Sequence, residues 1–208
     1  MNLLIVKATD RSVNDSVTAK MFDAFYEEVK GKEGINVTVY DVYKEDMPYI
    51  GNDLFTAFGK LANREVLSKE EERVLNATIK AKDAFAKADT ICLAFPMWNL
   101  SVPANLKTYI DYVYQAGFTF SYDDNGQMVQ LMKNKNIILL NARGGYYSAE
   151  ASVLDMSVNY IRNVFGMIFG MNITDEVIIE GHNARPDKAE EIINEGLLKI
   201  RDIAKKIK

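Results

Sequence analysis

The sequence predicts an α/β fold: five parallel strands in the order 2-1-3-4-5, forming one doubly wound sheet with helices on both faces. Three observations point to it. Short β-branched apolar runs alternate with longer amphipathic stretches. The central three runs are almost uninterrupted in apolar residues, as strands covered on both faces are. The amphipathic stretches carry their apolar residues at helical spacing.

The strands are expected at residues 3–7, 37–41, 90–95, 136–142 and 176–180. The first helix, 16–30, places Val17, Met21, Phe25 and Val29 on one stripe. The second opens on Ser68-Lys69-Glu70-Glu71, a capping box, and turns Val74, Ala77, Ala81, Phe85 and Ala88 inward. The third starts near Pro103, a residue suited to a first turn, and buries Leu106, Tyr109, Ile110 and Val113. The fourth is expected over 151–169 with Met156, Tyr160, Val164 and Ile168, and the fifth opens at Pro186-Asp187 and carries Ile192, Ile193, Leu197, Ile200 and Ile203.

A single domain over 1–208 is expected, with insertions at about 45–67 and 118–133. The first contains Met47, Tyr49, Ile50, Leu54, Phe55 and Phe58 and is too apolar for a solvated linker, so it should pack over the domain or against a second subunit. In the second, Phe118-Thr119-Phe120-Ser121-Tyr122 runs into Asp123-Asp124-Asn125-Gly126, the pattern of a small hairpin.

Composition narrows the class. The chain is 48% hydrophobic and 26% charged, and no apolar run approaches the roughly 18 residues of a membrane span. The opening Met1–Lys7 run is too brief for a signal peptide, and Cys92 is the only cysteine, so a cytoplasmic location is expected. A net charge of −4 with both signs mixed argues against a nucleic-acid partner and for a small ligand.

In such a sheet the ligand sits beyond the carboxyl ends of the strands, where the strand order reverses, which nominates three loops. The first, 9–18, is rich in hydroxyl and amide side chains and runs into a helix whose free N–H groups and dipole favour an anion, to which the Ser12, Ser16 and Thr18 hydroxyls can add donors. The plain alternative is that Ser16 or Asp15 merely caps that helix. The segment has neither the Gly-x-x-x-x-Gly-Lys nor the Gly-x-Gly-x-x-Gly pattern. In the second loop, Pro96, Met97, Trp98, Asn99 and Leu100 put aromatic and soft apolar groups at the end of the central strand, where a flat ring can lie; otherwise Trp98 is local core. The third, Ala142, Arg143, Gly144 and Gly145, allows close backbone approach and a positive potential at a ring's edge, or is a tight turn with Arg143 in a surface ion pair. His182 is the only histidine and reads as a loop residue; no metal set and no Ser-His-Asp arrangement is expected, and no catalytic side chain is nominated.

The sequence resembles the FMN-dependent NADH-azoreductase family, a branch of the flavodoxin-like quinone reductases. The resemblance rests on Pro96-Met97-Trp98-Asn99-Leu100 with Pro103 and Leu106-Lys107, on the 115–122 segment with Asn125-Gly126, on Arg143-Gly144-Gly145, and on Phe165-Gly166-Met167-Ile168-Phe169-Gly170-Met171. It implies a flavodoxin-like homodimer, FMN as cofactor with FAD as the alternative, NADH as donor, and ping-pong transfer to a quinone or azo acceptor, with Thr9, Ser16, Val17 and Thr18 on the phosphate, Met97–Leu100 along the flavin and Ala142–Gly145 at its pyrimidine side. Phe118, Phe120 and Tyr122 are expected in the substrate pocket with aromatic residues of the 45–67 insertion. The rival readings are a flavodoxin-type electron carrier, which lacks its acidic docking face here, and a phospho-receiver, which lacks an Asp closing strand three.

Overall fold

The computed structural model describes residues 1–207. Seven strands are present among them: β1 (Asn2–Lys7), β2 (Asn36–Asp41), β3 (Thr90–Pro96), β4 (Phe120–Tyr122), β5 (Met128–Gln130), β6 (Asn136–Arg143) and β7 (Asn172–Glu180). Five form a parallel sheet in the order β2-β1-β3-β6-β7, which is 2-1-3-4-5 once the separate β4-β5 hairpin is set aside. β3 is buried along its whole length because both faces are covered, which is why its sequence shows no polar alternation.

The helices are α1 (Val17–Val29), α2 (Asn52–Ala62), α3 (Lys69–Lys87), α4 (Ala104–Val113), α5 (Val158–Ile161) and α6 (Ala189–Lys206). α1 and α6 pack on the face formed by Leu3, Ile5, Cys92, Ala94, Ile138 and Leu140. α3, α4, α5 and the chain after it cover the opposite face, formed by Leu4, Val6, Ile91, Leu93, Phe95, Ile137 and Leu139. Odd and even strand positions thus feed two separate cores.

Three sequence expectations need correction. The 45–67 segment contains a sixth helix, α2, which buries Leu54 against Val74 and Leu75 of α3 and also buries Ala57. Gly51 gives it no capping side chain and Gly59 lies inside it, so only the spacing of Leu54, Ala57, Phe58 and Leu61 marks it. The fourth helix is not continuous over 151–169: a 3-10 turn (Ala149–Leu154), a break, α5, and a π-helical stretch (Arg162–Ile168) replace it. The Asp155 carboxylate makes the break by accepting the N–H groups of Ser157 (3.1 Å) and Val158 (2.9 Å) and so restarting the helix. β7 begins at Asn172, ahead of the expected start, with a bulge where its pairing to β6 shifts between Ile137 and Ile138.

The hairpin forms where the alternation predicts it. It lies at the amino-terminal end of the sheet: Phe118 meets Phe85, near the end of α3, at 6.0 Å between ring centres, and the Met132 N–H donates to the Phe169 carbonyl at 2.9 Å, just before β6 begins.

Candidate functional site

At the opposite, carboxyl-terminal end of the strands a cavity of about 440 Å³ is lined by Thr9, Arg11, Asp15–Thr18, Pro96–Trp98, Ala142–Gly144, His182 and Asn183. Two larger hollows exist, about 650 Å³ beside α4 and about 570 Å³ between β2 and α3, but neither lies where strand ends and a helix amino terminus converge.

On one wall the Ser16 hydroxyl caps α1, accepting the Ala19 N–H at 3.1 Å. The N–H groups of Val17 and Thr18 have no intrahelical acceptor and carry the positive end of the helix dipole. Thr9 and Thr18 are buried beside them, and Arg11 lines the same cavity. Capping and anion binding are therefore compatible: the Ser16 oxygen is engaged while its proton stays free to donate.

The next wall begins at Met97, whose N–H is held by the Ala142 carbonyl at 2.9 Å. Trp98 and Ser101 exchange N–H···O bonds of 2.9 and 3.0 Å around a two-residue turn in which Asn99 (φ 49°) and Leu100 (φ 70°) are both left-handed. This is the geometry of a type I′ turn. Asn tolerates it; Leu does so at a cost, which makes the turn a strained one. Trp98 is 39% exposed with Tyr43 edge-on at 6.4 Å, so it is an open aromatic wall and not local core.

The third wall departs most from expectation. Arg143 is only 3% exposed, not a surface residue, and its guanidinium is shared by Asp155, Glu180 and the Ser148 hydroxyl. Two carboxylates against one guanidinium leave a formal excess of negative charge, so Arg143 does not provide the free positive potential the sequence suggested. Burial alone would raise the Asp155 carboxyl, but hydrogen bonds from Val158, Arg143 and Ser157 outweigh it and hold Asp155 below its ordinary value. Glu180 behaves likewise: burial opposes, and Ser148, the Tyr147 N–H and Arg143 prevail. The room that Gly144 provides is used by the protein: a Cβ there would come within 2.3 Å of the Asn183 amide nitrogen. Gly181, at φ 84°, similarly lies under the Tyr146 ring.

His182 and Asn183 complete the cavity and were not nominated from sequence. The buried His182 Nδ1 has no partner among the described residues, and burial pushes its pKa down, so the ring is held neutral. An orphaned ring nitrogen, hydroxyls, free amides of a helix terminus and an aromatic plane make a donor set that suits a phosphorylated flat ring.

Residues 1–204 match the family described as flavodoxin-like fold. The chain is 42% identical over 204 residues to "FMN-dependent NADH:quinone oxidoreductase 2" of Halalkalibacterium halodurans, covering 97% of both chains. The chain belongs to the family of FMN-dependent NADH:quinone oxidoreductases. A second member, "FMN-dependent NADH:quinone oxidoreductase 1" of Bacillus subtilis, is 39% identical over 98% of both chains. Among solved structures, the azoreductase from Bacillus anthracis str. Sterne superposes with a TM-score of 0.89 at 40% identity, covering 99% of both chains.

Within this family frame, the thirteen nominated cofactor residues fall into two groups. Thr9, Ser16, Val17, Thr18, Pro96, Met97, Trp98, Ala142, Arg143 and Gly144 line the cavity; Asn99, Leu100 and Gly145 sit beside it in the same loops. Phe118, Phe120 and Tyr122 line none of it. Phe118 packs on Phe85, Phe120 is 7% exposed against Tyr114, and Tyr122 is exposed, all on the hairpin at the far end of the sheet. Among the described residues no helix is long and apolar enough to cross a membrane, and no group of His, Cys, Asp and Glu is suited to a metal. The Cys92 thiol is fully buried and burial pushes its pKa far up, which leaves it inert.

Proposed function

We propose that the chain binds FMN in the rim cavity and carries two electrons from NADH to quinones and azo compounds, NADH and acceptor using the same open face in turn. The observation that carries this reading is the meeting of three loops, far apart in sequence, on one cavity that pairs an anion-binding helix end with an aromatic wall.

The residues divide the work. The Val17 and Thr18 N–H groups with the Thr9, Ser16 and Thr18 hydroxyls hold the phosphate. Trp98 and Met97 offer a flat, polarizable surface to the ring, and the rigid turn after them fixes its distance from β3. The 144–145 loop, bonded through the Gly144 carbonyl to the Asn183 N–H at 3.0 Å, closes the remaining side. Bound FMN supplies the two-electron chemistry itself, so the protein contributes position and polarity and no side-chain acid or base.

The working form is a homodimer. The Phe118–Tyr122 hairpin sits at the wrong end of the sheet to wall its own cavity, so its role in the substrate pocket requires a second copy. Tyr49, Phe55, Val153 and Met156, each more than half exposed, are the side chains such contact would cover. A lone buried cysteine suits a cytoplasmic protein. Purified protein should be yellow, bleach with NADH under argon and recover its colour on adding a quinone. Colourless protein that neither binds added FMN nor oxidises NADH contradicts the reading.

A further inference from the structure

Asp155 belongs to none of the three cavity loops, yet it is tied to two of them. Its side chain is 5% exposed, and one oxygen takes the Arg143 guanidinium at the end of β6. The other accepts from the Ser157 N–H (3.1 Å), the Ser157 hydroxyl (2.9 Å) and the Val158 N–H (2.9 Å). These bonds fix the backbone on both sides of Met156. The Met156 N–H in turn donates to the Leu100 carbonyl at 3.0 Å, while also reaching that of Leu154 at 3.0 Å. Leu100 is the residue at φ 70° in the strained turn, a conformation that a Leu does not keep without outside contacts.

We propose that Asp155 is the positioning residue of the site: through Met156 it holds the Asn99–Leu100 turn left-handed, through Arg143 it holds the 143–148 loop, and so it sets the spacing of the two walls that clasp the ring. A carboxylate that only restarted α5 would need one oxygen; the second reaches across to β6. The role rests on the flavin reading for its consequence but not for its geometry.

The test uses Asp155→Asn, which keeps the shape and one acceptor but puts an amide donor against either Arg143 or the Ser157 N–H. Hydrogen exchange of the flavin-free protein should accelerate at the Trp98 and Ser101 amides by about tenfold more than at Leu93 and Leu139 in the central strands, with FMN affinity falling about tenfold. The double variant with Leu100→Gly, which accepts positive φ freely, should recover most of that affinity. Should Asp155→Asn not fold, Ser157→Ala removes one donor and should raise exchange at the same two amides by about twofold to threefold. Exchange that rises equally everywhere, or affinity that Leu100→Gly fails to restore, overturns the positioning role. Selective exchange in Asp155→Asn, where the unsubstituted protein itself takes up no FMN, retains that role and discards the flavin reading instead.

Discussion

The two sides of the rim cavity are built by opposite means. The side proposed for the phosphate uses what any helix end offers: unpaired N–H groups, a dipole and one capping hydroxyl, in a loop whose residues 10–15 are exposed. The side proposed for the ring is assembled from side chains distant in sequence, with Arg143 buried between Asp155 and Glu180 and a strained turn leaning on Met156. A helix end survives almost any single substitution. A buried ion network does not, because each member left behind keeps its desolvation cost.

That contrast is most sharply broken by Arg143→Met. The buried Asp155 carboxylate and the half-buried Glu180 carboxylate lose their partner, and a destabilisation of about 3–5 kcal/mol is expected in urea unfolding, with loss of flavin retention. Ser16→Ala should cost only about 1 kcal/mol, the ordinary price of an N-cap, and weaken FMN binding without altering the spectrum of what is bound. If the two variants proved equally damaging, the two sides would not differ as described.

Acid sharpens the same comparison. Asp155 and Glu180 have depressed pKa values in the fold, so their stabilisation is present above the unfolded carboxyl range near pH 4 and disappears as pH falls through the lower folded values. His182 acts at milder acidity. Its folded pKa is lowered, so the unfolded chain binds the extra proton first and stability declines as pH drops below about 6.5. His182→Gln should flatten the stability profile between about pH 6.5 and 5 and leave the steeper loss below it, measured by urea midpoints across that range. The smallest effect on stability is expected for Tyr122→Ala: the residue is 63% exposed, so unfolding should move by no more than about 0.5 kcal/mol. In a homodimer that lends the hairpin to the partner's cavity, kcat/KM for the quinone should nonetheless fall, and an unchanged value would remove the hairpin from the pocket.

Strands were legible because burial on both faces leaves an apolar run, and α3 because Ser68 and Glu71 spell its capping box, both halves of which form. The three loops followed from topology alone. What escaped depends on contacts across the chain. Nothing around Arg143 announces pairing with residues 12 and 37 positions away, and Asp155 interrupts a helix whose apolar spacing reads as continuous. His182 reached the cavity because β7 ends beside β6, a neighbour relation that local sequence does not encode. The hairpin was legible as a hairpin; its place at the far end of the sheet follows from the direction of α4, which carries the chain away from the rim.

Trp98 is the only tryptophan, and it stands in the wall assigned to the ring. Titrating flavin-free protein with FMN while exciting that residue should give a saturable loss of its emission with one FMN per chain. FMN that binds without dimming Trp98, or that does not bind, would contradict the placement of the flavin in this cavity.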